Sequence, residues 1–390
     1  MHRPADHRWL RGVGLLCLLL FGLLGASAHA AGGSYRVYVG TYTGKGSEGI
    51  YAFRFDPATG ASGALALAAA TDNPSFLAVD AQRRRLYAVN ELDTFRNEPT
   101  GAVSAFGIDR ESGQLTLLQQ ASSLGQGPAH LSLDKSGRFL MAANYNSGNY
   151  AVFPVEPDGR LGPRAAFEQD AGSSVNPQRQ AGPHAHSIQV TGDNRHVLVA
   201  DLGLDQLLVY RFDANTGALT PGGPPFATLA PGSGPRHVAF APSGRFVYVI
   251  NEMASTVTVF AYGPGPGTLR SRQTISTLPE SFSGTNTAAE IAVDARGRFL
   301  YVSNRGDDSL AVFRIDADDG RLTPVQRVSS GGKTPRHFAI DPGGTWLFAA
   351  NQDSNDIRLF RIDPRSGRLT PTGRSIDVVS PVCVLIVPLP

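Results

Sequence analysis

The chain has 390 residues, with Lys+Arg 35 against Asp+Glu 33 and a formal net charge of +2. A chain this close to neutral, with lysine at only three positions, lacks the basic surface that binds nucleic acid or an anionic membrane. Any attraction for anions must therefore be local to one site.

The first thirty residues are predicted to be a secretory signal peptide. Three arginines precede an apolar stretch, Gly12–Gly25, and Ala28-His29-Ala30 is a small-residue cleavage site. The apolar stretch is too short to span a membrane. We therefore expect cleavage after Ala30 and a periplasmic or secreted protein over residues 31–390.

The two cysteines limit how this protein is held together and anchored. Cys17 lies inside the leader after Leu16, whereas a lipoprotein signal requires a small residue there, so we expect no membrane anchor. Cleavage also removes three arginines and one aspartate, which leaves a neutral chain. Cys383 then has no partner within the chain, so the core must stabilise the fold without a disulfide.

Residues 234–262 contain the unit that the rest of the chain repeats. Apolar and β-branched runs broken by polar turns predict strands at His237–Ala241, Phe246–Ile250 and Thr256–Tyr262. A polar residue or glycine ends the second strand of each copy, at spacings of 47 to 57 residues. These positions are Gly40, Asn90, Asn144, Asp201, Asn251, Asn304 and Asn351.

A second mark gives the same number of copies. A turn follows each third strand, usually opens with an acidic residue, and contains a glycine that supplies a positive φ. These glycines are Gly60, Gly113, Gly159, Gly217, Gly267, Gly320 and Gly367. Seven units of about fifty residues, each with four short strands, predict an all-β fold: one seven-bladed β-propeller domain over residues 31–390, without α-helices.

The two ends of the chain predict how the ring closes. The first unit begins at Arg36–Thr41 on a strand of the second type, so it lacks its innermost strand. Residues Ser380–Ile386 resemble the missing strand when they are set beside Thr334–Ile340. We therefore expect the C-terminal strand to complete the first blade and remove the exposed edges.

The start of each first strand and the end of each second strand meet at one end of a hairpin, and seven hairpins bring these positions to one mouth of the channel. Positions that differ between copies are not required by the fold. After the end of the second strand the copies read Thr41, Glu91, Tyr145, Leu202, Glu252, Arg305 and Gln352. The mouth is predicted to collect His130, His186, Arg236, His237, Glu252, Glu290, Arg305, Arg336 and His337. Cations with a few carboxylates indicate a site for an anionic ligand plus an acid or base.

Each of these residues also has a purely structural interpretation. A histidine at the start of an inner strand can bond the neighbouring blade, and Arg236–Glu252 or Arg336–Glu290 can be ion pairs between blades. His184 and His186, with Glu252 near, could bind a metal, but the spacing is weak evidence. We expect no metal and no cofactor.

Four stretches identify the chain by resemblance: Val37–Thr43 (VYVGTYT), residues 172–188, residues 234–252 and residues 287–306. They resemble the seven-bladed propeller lactonases, which include the propeller-type 6-phosphogluconolactonases and are related to the carboxymuconate lactonising enzyme. The resemblance implies catalytic residues at His186, Arg236, Glu252 and Arg305. The other candidates are assigned to substrate binding: His130, His184, His237, Glu290, Arg336 and His337.

The function expected is hydrolysis of a sugar-acid lactone, like that of a 6-phosphogluconolactonase but outside the cytoplasm. Glu252 or His186 would be the base, while Arg236 and Arg305 would hold the substrate's anion and the oxyanion. The export signal favours an unphosphorylated lactone. Two alternatives stay open: a non-catalytic envelope propeller that binds a sugar acid or a protein, and a cycloisomerase on a muconate-like diacid. We expect a monomer.

Overall fold

The computed structural model describes residues 33–82 and 84–389, so the predicted leader lies outside the described residues. These residues form 29 β-strands and no helix, arranged in seven antiparallel sheets. The seven sheets correspond to the seven sequence units, which confirms the predicted all-β propeller. The described residues contain no apolar helix long enough to cross a membrane.

Each sheet is one blade, numbered from the N-terminus. The first three blades contain β1 (Tyr35–Thr41), β2 (Gly49–Asp56), β3 (Ala61–Ser62) and β4 (Ala66–Ala70); β5 (Leu77–Val79), β6 (Arg85–Asn90), β7 (Ala102–Ile108) and β8 (Leu115–Ser122); and β9 (Pro128–Leu133), β10 (Phe139–Asn144), β11 (Asn149–Pro154) and β12 (Ala166–Gln169).

The fourth to seventh blades follow the same order from the inside outwards. They contain β13 (Ala185–Val190), β14 (His196–Asp201), β15 (Gln206–Phe212) and β16 (Leu219–Thr228); β17 (Pro235–Phe240), β18 (Phe246–Asn251), β19 (Thr256–Gly263) and β20 (Thr268–Ser276); β21 (Thr287–Val293), β22 (Phe299–Arg305), β23 (Ser309–Ile315) and β24 (Leu322–Ser329); and β25 (Pro335–Ile340), β26 (Trp346–Asn351), β27 (Asp356–Ile362) and β28 (Leu369–Asp377).

The last strand, β29 (Pro381–Pro388), closes the ring. It pairs with β1 in antiparallel register, with Val37 opposite Ile386 and Gly40 opposite Cys383. The first blade therefore joins both ends of the chain, as the sequence predicted. Closure leaves the inner edge of β1 paired instead of exposed to other chains.

The core lies between neighbouring blades. The second strand of a blade is buried along its whole length, as in β18 and β26, because apolar side chains on both of its faces meet the adjacent blades. Phe55 of the first blade packs edge-to-face on Trp346 of the seventh, with ring centroids 5.2 Å apart.

Packing between neighbouring blades, as well as the conformation of the turn, requires glycine in these turns. The Tyr248 hydroxyl donates to the carbonyl of Gly320 in the next blade at 3.2 Å, and Tyr301 does the same to Gly367 at 3.0 Å. Both glycines have positive φ, and a Cβ atom on either would lie 2.5 Å from a phenylalanine ring of the preceding blade. A side chain there would push two blades apart.

A β-bulge at the start of several inner strands aims side chains into the channel. In β17, Pro235 pairs with Asn251 and His237 with Ile250, so Arg236 has no partner across the ladder. The same break leaves His186 unpaired in β13 and Arg336 in β25. Bulges re-aim side chains and are common beside functional sites.

The register of the first blade corrects one assignment. Thr41 pairs with Pro381 just as Asn351 pairs with Pro335, so Thr41, and not Gly40, ends the second strand. Tyr42 rather than Thr41 therefore takes the place at the mouth that Glu252 occupies in the fifth blade.

Candidate active site

Glu252 is the centre of the charged network in the mouth. It follows β18, and its backbone N–H donates to the Gly234 carbonyl at 2.7 Å. Its Oε1 accepts a hydrogen bond from Arg179 Nη2 at 2.7 Å, and its Oε2 lies 3.0 Å from Arg305 Nη2 and 3.2 Å from Arg236 Nε. Its side chain is only 7% exposed, so three guanidinium groups surround a buried carboxylate.

This setting keeps Glu252 ionised. Burial alone raises the pKa of its carboxyl group, but Arg305, Arg236 and Arg179 outweigh that effect and lower the pKa to about 2. A carboxylate with so low a pKa binds a proton weakly at neutral pH. The geometry therefore favours a role for Glu252 as a fixed negative charge over the role of general base.

Arg236 is the most deeply buried cation of the group, with its side chain 3% exposed. Its Nη1 donates to the Ala289 carbonyl at 2.8 Å and to His237 Nε2 at 3.2 Å, while its Nε is close to Glu252 without the alignment of a hydrogen bond. Burial, together with Arg305 and Arg336, lowers the pKa of Arg236 to about 9. The Arg236–Glu252 ion pair is present, but it lies within the fifth blade and not between two blades, as the sequence had suggested.

His186 is a neutral imidazole beside this network. Its Nε2 lies 3.9 Å from Glu252 Oε2, and its Nδ1 is buried with no hydrogen-bond partner among the described residues. Burial, then the charges of Arg236 and His237, hold the pKa of His186 well below its usual range. At neutral pH His186 therefore has an unprotonated ring nitrogen that can accept a proton.

Arg179 was not recognised as a site residue from the sequence. It lies in the loop of residues 170–184 between the third and fourth blades, and its Nη2 also donates to the Tyr145 hydroxyl at 3.1 Å. The buried Gln180 anchors this loop by donating to the Leu202 carbonyl at 2.9 Å. Arg179 lies within the recognised stretch 172–188, but comparison of repeats cannot find it because other blades have no counterpart of this loop.

Tyr145 connects Arg179 with His184. The Tyr145 ring stacks on His184 with centroids 4.6 Å apart, and His184 Nδ1 donates to the Tyr145 carbonyl at 2.8 Å. Tyr145 also meets His186 edge-on at 5.1 Å. His184 thus lies against the wall of the mouth next to the residues around Glu252.

Arg336 belongs to the seventh blade, across the mouth from His186 in the fourth blade. Its guanidinium carbon is 5.2 Å from the centroid of Tyr42, whose hydroxyl donates to both oxygens of Glu91 at 3.0 and 2.9 Å. Burial alone lowers the pKa of Arg336, but Tyr42, Glu91 and Glu252 raise it above its usual value. Arg336 is therefore a permanent cation.

The remaining candidates form a second layer deeper in the channel. His237 Nδ1 lies 3.0 Å from Glu290 Oε2, and His337 Nε2 lies 3.4 Å from the same oxygen. The His130 ring is 5.3 Å from His237 and 4.2 Å from Phe76. The mouth predicted as one group thus consists of two layers.

Glu290 differs from Glu252 in its electrostatic setting. Burial raises its pKa, and His337 and Arg236 offset only part of this effect. The proposed Arg336–Glu290 ion pair is absent from the described side chains, because Glu290 is held by histidines. No group of three or more His, Cys, Asp or Glu side chains within the described ranges could hold a metal ion.

Comparisons with known proteins agree with this architecture. The family model for "Lactonase, 7-bladed beta-propeller" matches residues 36–386. A 6-phosphogluconolactonase of Bacillus subtilis is 39% identical over 297 residues, which cover 76% of this chain and 82% of the relative. A 6-phosphogluconolactonase of Formosa agariphila is 33% identical over 293 residues, covering 73% and 80%.

Solved structures agree over a larger share of the chain. The periplasmic gluconolactonase of Pseudomonas aeruginosa superimposes with a TM-score of 0.85 at 38% identity, over 92% of this chain and 100% of that one. A protein from Lactobacillus plantarum superimposes with a TM-score of 0.84 at 33% identity, covering 91% and 99%.

Proposed function

This chain belongs to the family of seven-bladed β-propeller lactonases, and from that premise we propose that it opens sugar-acid lactones outside the cytoplasm, with His186 as the base. It is a carboxylic ester hydrolase of the 6-phosphogluconolactonase type. The observation that carries the proposed mechanism is the pair formed by neutral His186 and Glu252, which three arginines keep ionised.

The proposed reaction begins when His186 Nε2 takes a proton from a water molecule that attacks the lactone carbonyl. The resulting imidazolium lies beside the Glu252 carboxylate, 3.9 Å away, which stabilises its charge. The carbonyl oxygen becomes an oxyanion, and N–H groups of Arg305 and Arg236 that have no hydrogen bond to the described residues stabilise it. The ring ester bond then breaks, the ring oxygen takes the proton from His186, and a hydroxy acid is released.

Glu252 has a different role in this mechanism. With a pKa lowered to about 2, it stays ionised at neutral pH. Its charge holds the guanidinium groups of Arg236 and Arg305 in place before the substrate arrives. Groups positioned in advance avoid reorganisation during the reaction.

The mechanism is tested with purified protein starting at Ala31 and a panel of lactones. We expect hydrolysis by the natural chain, and a fall in kcat of about 10²- to 10⁴-fold for His186→Asn, because a positioned base contributes that much. His196→Asn is the matched control, since His196 is also a buried histidine but binds Tyr262 Oη at 2.7 Å, outside the mouth. Sugar acids that bind without any lactone being opened would favour the non-catalytic propeller.

The proposed compartment rests on the leader pattern of residues 1–30, and the periplasmic gluconolactonase of Pseudomonas aeruginosa supports it by likeness. A reporter fused to residues 1–35 should be exported and begin at Ala31. The same fusion without residues 12–25 is the control and should stay in the cytoplasm. A full-length reporter that remains inside the cell would contradict the proposal.

A further inference from the structure

One guanidinium at the mouth has no hydrogen-bond or ion-pair partner among the described residues. Arg179, Arg236 and Arg305 each contact the Glu252 carboxylate. Arg336 makes neither a hydrogen bond nor an ion pair with any residue of the described chain. Its guanidinium has a cation–π contact with the face of the Tyr42 ring. Its N–H donors are therefore available to a ligand.

The contact with Tyr42 orients Arg336 without using these donors. A guanidinium over an aromatic face is attracted by the ring and keeps its N–H groups in its own plane. Tyr42 is in turn fixed by its two short contacts with Glu91. The bulge at Arg336 turns the side chain out of the β25 ladder and towards the channel.

Arginines that only link neighbouring blades make different contacts from those of Arg336. Arg298 donates to the Pro364 carbonyl at 2.6 Å, and Arg245 donates to the Asp318 carbonyl at 2.7 Å, in each case in the next blade. Both use their donors on the backbone at the far end of the blades. Arg336 has no such bond among the described residues, so a bracing role does not account for its position.

The position of Arg336 in the ring determines which part of a substrate it can reach. It belongs to the seventh blade and lies against Tyr42 of the first, whereas His186 belongs to the fourth. In a ring of seven these are opposite sides of the mouth. A lactone whose carbonyl lies at His186 would direct its far end towards Arg336.

We propose that Arg336 is a specificity residue that binds an anionic group at the end of the lactone remote from the ester. This rests on the proposed function, and it deepens it by naming the substrate class. The carboxylate that ester opening creates does not exist before the reaction. An anionic group of the lactone that binds Arg336 must therefore be a different one, either another carboxylate or a phosphate. Arginine binds both with paired charge-assisted hydrogen bonds.

Three lactones of similar size test this inference: gluconolactone without a charge, glucarolactone with a carboxylate, and 6-phosphogluconolactone with a phosphate. The natural chain should prefer one or both of the charged lactones, and their ranking distinguishes the two anions. Arg336→Gln should lower kcat/KM for the preferred lactone about 10- to 150-fold through KM, the loss expected for a charge-assisted hydrogen bond. The loss of kcat/KM for gluconolactone, which has no charged group, should be smaller.

Arg298→Gln is the matched control, because it removes an arginine from the far end of the blades and should leave the ranking of the lactones unchanged. Equal losses of kcat/KM on all three lactones, or no preference of the natural chain for a charged one, would overturn the inference. If the natural chain opens no lactone, the proposed hydrolysis is refuted, and the role of Arg336 is tested by binding instead. Calorimetric binding of gluconate, glucarate and 6-phosphogluconate to both chains then decides: equal affinities refute the role of Arg336, and a preference for the two acids with a second anionic group that Arg336→Gln removes supports it.

Discussion

Arg179 Nη2 lies 2.7 Å from Glu252 Oε1 and links a loop to the fifth blade across the mouth. The Arg179 side chain is 39% exposed, whereas that of Glu252 is 7% exposed. Arg179 is therefore the guanidinium of the network that solvent and substrate reach most easily. Arg179 binds Oε1 of the Glu252 carboxylate, and Arg236 and Arg305 contact its Oε2.

Replacing Arg179 tests this link. Arg179→Gln removes one of the cations that lower the pKa of Glu252, so that pKa should rise and one oxygen of the carboxylate should lose its hydrogen bond. We expect kcat/KM at neutral pH to fall about tenfold, with partial recovery in Arg179→Lys. Tyr145→Phe is the control, because it removes only the second acceptor of the same nitrogen. An unchanged kcat/KM in Arg179→Gln would show that Arg179 does not support the residues around Glu252.

The two glutamates should respond differently to loss of their charge. Glu252→Gln leaves the buried Arg236 without its counter-ion, which should lower the free energy of unfolding by about 3–5 kcal/mol and reduce kcat. Glu290→Gln should lower it by less, since burial raises the pKa of Glu290 and its charged form is therefore less favoured there than that of Glu252. Urea denaturation of both variants measures the difference, and equal losses would contradict the opposite shifts.

The half-buried Asp170 and the buried Asp201 predict that stability falls as the pH rises. Burial, then the charge of Asp201, raises the pKa of Asp170 to about 8, and Tyr150 donates to Asp170 at 3.0 Å. A folded-state pKa above that of the unfolded chain stabilises the protein below about pH 4, and this contribution is lost as pH rises through about 8. Melting temperatures should therefore fall as the pH rises from about 4 to about 8, and level off above that.

Asp201→Asn is the matched variant for this prediction. Five other blades have asparagine at the same position, and an Asn side-chain oxygen can still accept the His184 and Leu204 N–H groups that Asp201 accepts at 2.9 and 3.0 Å. Without the second carboxylate the pKa of Asp170 should fall, and the decline in melting temperature should become shallower. A decline as steep as that of the natural chain would place its origin elsewhere.

Deleting residues 381–390 tests the closure of the ring. The truncated chain loses β29 and exposes the inner edge of β1, and the core between the first and seventh blades loses Val384, which is buried there. We expect aggregation or a large fall in melting temperature. Deleting only residues 389–390 is the control, because β29 remains. A monomeric protein with an unchanged melting temperature after the longer deletion would refute this account of closure.

Sequence alone was enough for the number of blades, their order and the strand that closes the ring. Each of these depends on local signals: polar residues that end strands, turn glycines, and the likeness of Ser380–Ile386 to Thr334–Ile340. Hairpin geometry then determines which strand ends meet. For that reason His186, Arg236, Glu252 and Arg305 could be placed at one mouth before any coordinates were known.

Tertiary structure decided what those residues can do. Arg179 enters through a loop that no other blade repeats. Tyr42 replaces Thr41 because the pairing of β1 with β29 shows that the second strand ends at Thr41 and not at Gly40. Bulges divide the histidines between two layers, an effect that strand periodicity cannot reveal. The opposite pKa shifts of Glu252 and Glu290 arise from burial and from charges on other strands and loops. These contacts join residues distant in sequence, and only the closed ring brings them within a few ångströms.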